Sequence, residues 1–371
     1  MIVSTKEVTE MAYEFAHDYA EARRKFLEAA TAAGGRLRAF HHPDQAGPDG
    51  GPLCVDVAEI GPDKPDEVLL VVSGTHGIEG FCGSACQISL LADDGPVISA
   101  GPATGFVFVH ALNPFGFAYQ RRVDDGNVDV NRNFVEHGGP ASNPDYDMLH
   151  EFLLTDEWNR TTPRRLLGSW QDLVGQVGRR AVQQAVTGGQ YRHPDGLFYG
   201  GTRPVWSNDT LRRIARESLA GASRVGYIDL HTGLGEWGQG EPIFRGGRDP
   251  LALQRARTWY GEALTVSEQG TSSSTLIYGN TAQAVADAVD HNGGQLTAIT
   301  LEFGTLSAEE VLLALCADNW LHNRFDARQA LASDLKGLVR EAFSPSDPAW
   351  RTAVTVRARE VVDQALRGLT G

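Results

Sequence analysis

No stretch of the 371-residue chain is apolar for long enough to span a bilayer, and no apolar secretory core follows the first methionine. The expectation is a cytoplasmic protein with no membrane partner. Excess positive charge is missing too: Lys and Arg total 33 against 47 Asp and Glu, a net charge of −14. With no cationic field to attract phosphates, nucleic acid is not an expected partner. Cysteines are few. Cys54, Cys82, Cys86 and Cys316 have the spacing of neither a disulfide framework nor a zinc ribbon. Cys82 and Cys86 read as small buried hydrophobes on a helix, and reduced thiols suit a cytoplasm. Internal repeats and low-complexity tracts are absent.

What is present is ordinary globular composition, 42% hydrophobic and 22% charged, enough for a sizeable core. The stretch "LCVDVAEIG" alternates like a half-buried strand, and "EVLLVVSG" is a continuous apolar run like a central strand. "GFVFVHALNPFGF", "RVGYIDLHTG" (224–233) and "QLTAITLEFGT" (295–305) share that second form, with polar residues where the run ends. Helical patterns cover "GFCGSACQISLLADD", 208–220, 251–265, 307–333 and 349–368. An amphipathic helix is expected over about 4–33, with Ser4 and Glu7 as a capping box and Gly34-Gly35 as its stop. Segment 41–52 reads as a turn-rich loop. Alternation of strands and helices predicts a three-layer α/β/α fold with a mixed, mostly parallel central sheet. One catalytic domain over 1–371 is expected. Segment 138–207, helical at about 164–187 and otherwise rich in glycine, proline and aromatics, reads as an insertion packed near the active site.

The chemistry gathers at strand ends. "LLVVSGTHGIEGFCGSA" breaks from an apolar run into glycines and there places His76 and Glu79 three apart. "RRVDDGNVDVNRNF" (121–134), His231 in "DLHTG" and Glu302 in "TLEFG" follow. Two histidines and a carboxylate make a three-ligand set of the type catalytic zinc uses, and Glu302 is then available as a base. His110 also ends a strand; it is the rival metal position but reads as a paired core histidine, while His41 and His42 read as solvated.

The ordered set His-x-x-Glu, Asn-Pro, Asp-x-Asn-Arg-Asn-Phe, a distant His after a strand, and Glu-x-Gly resembles the zinc carboxypeptidase (M14-like) superfamily, which includes desuccinylases and aspartoacylases. The resemblance spans roughly residues 50–330 and is nearest to a bacterial carboxypeptidase-like branch of the DUF2817 type. It implies one zinc ion held by His76, Glu79 and His231, with Glu302 as the general base. It implies further that Arg122 stabilises the oxyanion, that Asn131 and Arg132 bind a terminal carboxylate, and that Asp129 orients the first zinc histidine. Arg121 is the neighbour onto which the oxyanion role could slip. Tyr278, 24 residues before Glu302, resembles a mobile substrate-binding tyrosine, with Tyr199 as another candidate. If that alignment holds, Val285 lines the side-chain pocket and favours an apolar residue. The expected substrate is a short peptide or an N-acyl amino acid with a free carboxylate. Carboxypeptidase and deacylase are thus the two readings. A non-catalytic binding module is disfavoured because Glu302 is retained.

Overall fold

The structure is a computed structural model describing residues 13–100, 103–138, 143–324 and 331–371. Helix α1 (Tyr19–Ala32) leads into strands β1 (Arg36–Ala46), β2 (Pro52–Ile60) and β3 (Glu67–Val72). Then come α2 (Gly80–Leu91) and β4 (Thr104–His110). Helices α3 (Pro144–Leu153), α4 (Thr162–Val177), α5 (Arg179–Thr187) and α6 (Trp206–Ser218) follow. The chain continues through β5 (Arg224–Trp237), β6 (Gly240–Phe244), α7 (Pro250–Tyr260), α8 (Ala282–His291) and β7 (Gln295–Gly304). It closes with α9 (Ala308–Asn323), α10 (Ala332–Phe343) and α11 (Pro348–Thr370).

The seven strands form one sheet in the order β1-β2-β4-β3-β5-β7-β6. Strands β4, β3, β5 and β7 run parallel, and β1, β2 and β6 pair antiparallel at the flanks. Strand β3 is apolar without alternation because both its faces are covered. Leu69 and Val71 pack with Phe26 of α1, Cys82 of α2 and Val354 of α11. Val68, Leu70 and Val72 pack on the other side with Leu211 of α6 and Val285 of α8. The result is the mixed, three-layer α/β/α arrangement. A third cluster joins Tyr146, Trp170 and Val186 of the insertion to Leu315 of α9 and Phe343 of α10. It covers the ends of the parallel strands, where open α/β sheets place their sites.

Several boundaries differ from expectation. The N-terminal helix begins at Tyr19, where Asp18 caps Glu21 N, and residues 13–18 lie outside any helix or strand. The Ser4–Glu7 capping box lies outside the described residues. Segment 41–52 is mostly strand: β1 runs to Ala46 and only the turn from Gly47 to Gly51 remains. As an edge strand with a largely exposed face, β1 has no apolar signature. Strand β2 is buried from Leu53 to Ala58 without alternation; its polar position Asp56 is satisfied by Arg23 at 2.6 Å. The helical pattern at 164–187 is two helices divided at Gly178, whose φ of 87° turns the chain. In 307–333 the first helix ends at Asn323, and α10 begins a separate helix. Strand β6 was not anticipated. No helix among the described residues is long and apolar enough to cross a membrane. All four cysteines are buried and unpaired.

Candidate metal centre

The parallel strands bring the chemistry together by register. His231 on β5 stands beside Glu302 on β7. With a period of two, Asp229 and Thr300 share that face. Next to β5, β3 ends at Val72, and a loop and 3₁₀ turn (Gly77–Glu79) carry His76 and Glu79 towards His231. That turn needs a glycine: a Cβ on Gly77 would sit 2.0 Å from the Gly116 carbonyl carbon.

His76, Glu79 and His231 form a group that could hold a metal ion, with one ligand atom of each within 4.8 Å of the others. All three are buried. His76 Nδ1 lies 2.8 Å from Glu79 Oε1, and His231 Nδ1 lies 2.8 Å from Glu79 Oε2. The two Nδ1 atoms face each other at 3.1 Å. Two imidazole lone pairs do not meet over a carboxylate unless a proton or a cation lies between them, so the donor set fits a divalent ion. The outer nitrogens have carboxylates behind them, the arrangement that fixes ligand tautomers. His76 Nε2 is 3.1 Å from Asp129 Oδ1. His231 Nε2 is 2.9 Å from Asp229 Oδ2, off the angle of a formal hydrogen bond. Asp229 in turn accepts from the hydroxyls of Thr75 and Thr281.

Electrostatics follow from this crowding. Burial alone would lower His231, but Asp229 and Glu79 outweigh it and raise the imidazole to about 10. Burial would raise Asp129, yet Arg122, His76 and Arg132 hold it well below the usual carboxylate range. Glu302 moves the other way: burial, reinforced by the charge of Glu79, pushes it up to about 7. Glu302 Oε1 accepts from Leu234 N at 3.0 Å.

His76, Glu79, His231, Glu302, Arg122, Asn131 and Arg132 line one pocket of about 780 Å³ of empty space, its open mouth included. The insertion contributes Trp170, Gln183, Val186, Thr187 and Phe198 to its wall. Arg122 donates to Asp129 at 3.1 Å and to Glu79 at 3.0 Å, so its charge is balanced within the protein. Among the described residues Arg132 donates to Thr187 O and Asn131 O, and Asn131 Oδ1 accepts from Thr281 N.

Other expected site residues are not in this pocket. Arg121 points away: it pairs with Asp318 at 3.0 Å, which Lys336 also contacts, and donates to Asn127 Oδ1. Tyr278 is 66% exposed and does not line the pocket; its neighbour Ile277 does. Tyr199 is buried but lines a separate cleft with His42 and Trp206. Val285 is in the core against α6 and β3, so the apolar side-chain preference loses its basis. His110 is a core residue, stacked on Phe26 at 4.4 Å and 2.9 Å from Ser84 Oγ; burial pushes it down to about 3. His41 is exposed, whereas His42 is largely covered by Trp206.

Two site residues escaped sequence reasoning. Asp229 is two before His231 in "YIDLHTG", and strand alternation alone puts both on one face. Arg245 ends "EPIFRGG", an apolar run closing on a polar residue and glycines as the other site strands do. It lines the pocket beside Thr300 and Ser274.

Residues 15–357 match the model of a family described as protein of unknown function DUF2817. No curated protein sequence matches the chain. Among solved structures, the carboxypeptidase A of Helicoverpa armigera is similar at 14% identity and a TM-score of 0.44, covering 90% of this chain and 75% of that one. Bovine thrombin-activatable fibrinolysis inhibitor is similar at 12% identity and a TM-score of 0.44, covering 95% and 99%. A Shewanella frigidimarina NCIMB 400 protein, provisionally assigned as a succinylglutamate desuccinylase/aspartoacylase, is similar at 14% identity and a TM-score of 0.37, covering 78% and 72%. At such identities a shared outline does not fix an activity.

Proposed function

The chain belongs to the DUF2817 family, and we propose that it is a zinc-dependent hydrolase of an amide or peptide bond next to a free carboxylate. Its most direct form is a carboxypeptidase of short peptides. The observation that carries this reading is the convergence of the His76, Glu79 and His231 ligand atoms in the same pocket as the buried Glu302. Those three residues would hold one divalent ion, and two nitrogens with a carboxylate suit zinc. When bound, the ion supplies Lewis acidity towards a carbonyl and a water at neutral pH.

The remaining work belongs to the chain. Glu302 takes a proton from the attacking water and returns it to the leaving amine; a carboxyl at about 7 is matched to both transfers. Arg122, held by Glu79 and Asp129, turns its remaining donors to the negative charge that develops on the carbonyl oxygen. Among the described residues Arg132 donates to carbonyl oxygens and makes no direct ion pair, so its planar fork is available to a substrate carboxylate. Trp170, Val186 and Phe198 wall the site and limit water.

A second reading, deacylation of an N-acyl amino acid, is favoured by one specific observation. Helices α4 and α5 contribute the pocket wall, which restricts the length of chain that can enter. Mass spectrometry of the zinc-loaded protein with a mixture of short peptides and N-acyl amino acids separates the two. Chelator-sensitive loss of single C-terminal residues identifies a carboxypeptidase. Cleavage of the acyl amino acids alone identifies a deacylase, and no chelator-sensitive hydrolysis of either class rejects both.

A further inference from the structure

Three guanidiniums line the pocket, and among the described residues only Arg122 makes ion pairs with carboxylates within 4.0 Å. Arg122 has Glu79 and Asp129. Arg132 has backbone oxygens. The third, Arg245, follows β6, where its amide bonds to Ala298 O of β7 and sets its side chain on the face of Thr300 and Glu302. Its Nε donates to Thr300 Oγ1 at 3.0 Å, and one terminal nitrogen reaches Ser274 Oγ at 3.4 Å. Among the described residues no carboxylate lies within 4.0 Å of it.

An arginine held this way is expensive unless something pairs with it. Arg245 is partly buried, and desolvating a guanidinium even in part without a direct counter-ion is unfavourable. Burial lowers Arg245 to about 10; the charge of Glu302 works against that shift and repulsion by Arg132 adds to it. Two guanidiniums that share one pocket and have no direct ion-pair partner among the described residues favour a ligand with two negative charges. The hydroxyls of Ser274 and Thr300 hold the Arg245 fork in place, as a recognition group requires.

We propose that Arg245, oriented by Ser274 and Thr300, is a subsite for a second anionic group, so that the amino acid released or deacylated is acidic, of the glutamate or aspartate type. This rests on the hydrolase reading for the reaction, but not for the binding of the ligand. Arg132 takes the α-carboxylate and Arg245 takes the side-chain carboxylate. The polar, cationic floor of the pocket replaces the apolar preference expected from Val285.

Calorimetry on the full-length zinc-loaded protein tests the subsite without turnover, using glutarate, which has two carboxylates at the spacing of glutamate, and butyrate, which has one. Glutarate is expected to bind roughly 10- to 100-fold more tightly, the range of one charge-assisted pair. Arg245→Met should abolish that ratio, while Arg245→Lys, keeping the charge without the fork, should retain part of it. Equal binding of the two acids, no binding of glutarate, or a ratio that survives in Arg245→Met overturns the proposal. If Arg245→Met unfolds, Arg245→Lys and the native ratio still decide. Hydrolysis separates the two claims. Chelator-sensitive cleavage that is as fast next to Gln as next to Glu leaves the hydrolase standing and removes the subsite. A glutarate preference without hydrolysis leaves the subsite and removes the hydrolase. Uniform loss of turnover on all substrates in Arg245→Met, with the Glu-over-Gln ratio kept, means that Arg245 acts on Glu302 and contradicts the subsite.

Discussion

At the scale of single residues, the centre is built from opposed preferences. His231 keeps a proton up to about 10 in the metal-free protein because Asp229 and Glu79 outweigh its burial. A metal must displace that proton, so the centre binds more tightly as pH rises. His231→Ala removes one of the two nitrogens and should lose stoichiometric metal while staying folded; inductively coupled plasma mass spectrometry checks this, and one tightly held zinc per chain in the variant removes the ligand set. Glu302 is the converse. As the proposed base it would act only when ionised, and burial with the charge of Glu79 raises its pKa to about 7. Activity should therefore be present above that value and fall as pH drops through it. A bound cation favours the ionised form, so the acid limb of kcat/KM is expected at or below about 7. A profile flat from pH 8 to pH 4 contradicts the role of Glu302.

At the scale of elements, strand ends and the turn after β3 set the geometry. The close approach of Gly77 to Gly116 lets His76 and Glu79 face β5. Gly77→Ala should lower stability by about 1–3 kcal/mol, the usual range for overpacking. By shifting the ligands, it should also lower metal affinity and turnover up to ~10²-fold. Urea melts and a zinc titration read the two effects; unchanged values in both would mean that the turn is not a constraint. Much of this layer is legible in the sequence. Strands β3, β4, β5 and β7 announce themselves as apolar runs that end in polar residues and glycine, because they are buried on both faces. The edges do not. Strand β1 is largely exposed and β6 is five residues long, so neither has a period to read, and Arg245 was missed with β6. Arg121 and Arg122 are equivalent as adjacent letters. The buried carboxylate of Asp318, 197 residues away, and the side chain of Asn127 hold Arg121 outside the pocket. Tyr278 lies outside the pocket wall for a related reason: a distance along the chain does not say which way a loop presents its side chains.

At the scale of the molecule, the core and the site are separate. The packed clusters on both sheet faces do not depend on the metal centre, so removing metal should loosen the site without unfolding the chain. Zinc at 100 times its dissociation constant should stabilise the fold by about 2.7 kcal/mol. Differential scanning calorimetry with and without chelator should then show a lower Tm but one cooperative transition; loss of the transition on chelation would make the metal structural. The insertion, α9 and α10 join in one apolar cluster above the strand ends, which makes the pocket small and partly enclosed. The central claim is that a metal and Glu302 act together in that pocket. Its most direct test is metal content and turnover measured side by side in the native chain and in Glu302→Gln. The account predicts one zinc per chain in both, with turnover in the variant lower by roughly 10²- to 10⁴-fold. Normal turnover in the variant, or a native chain that hydrolyses equally well without metal, contradicts it.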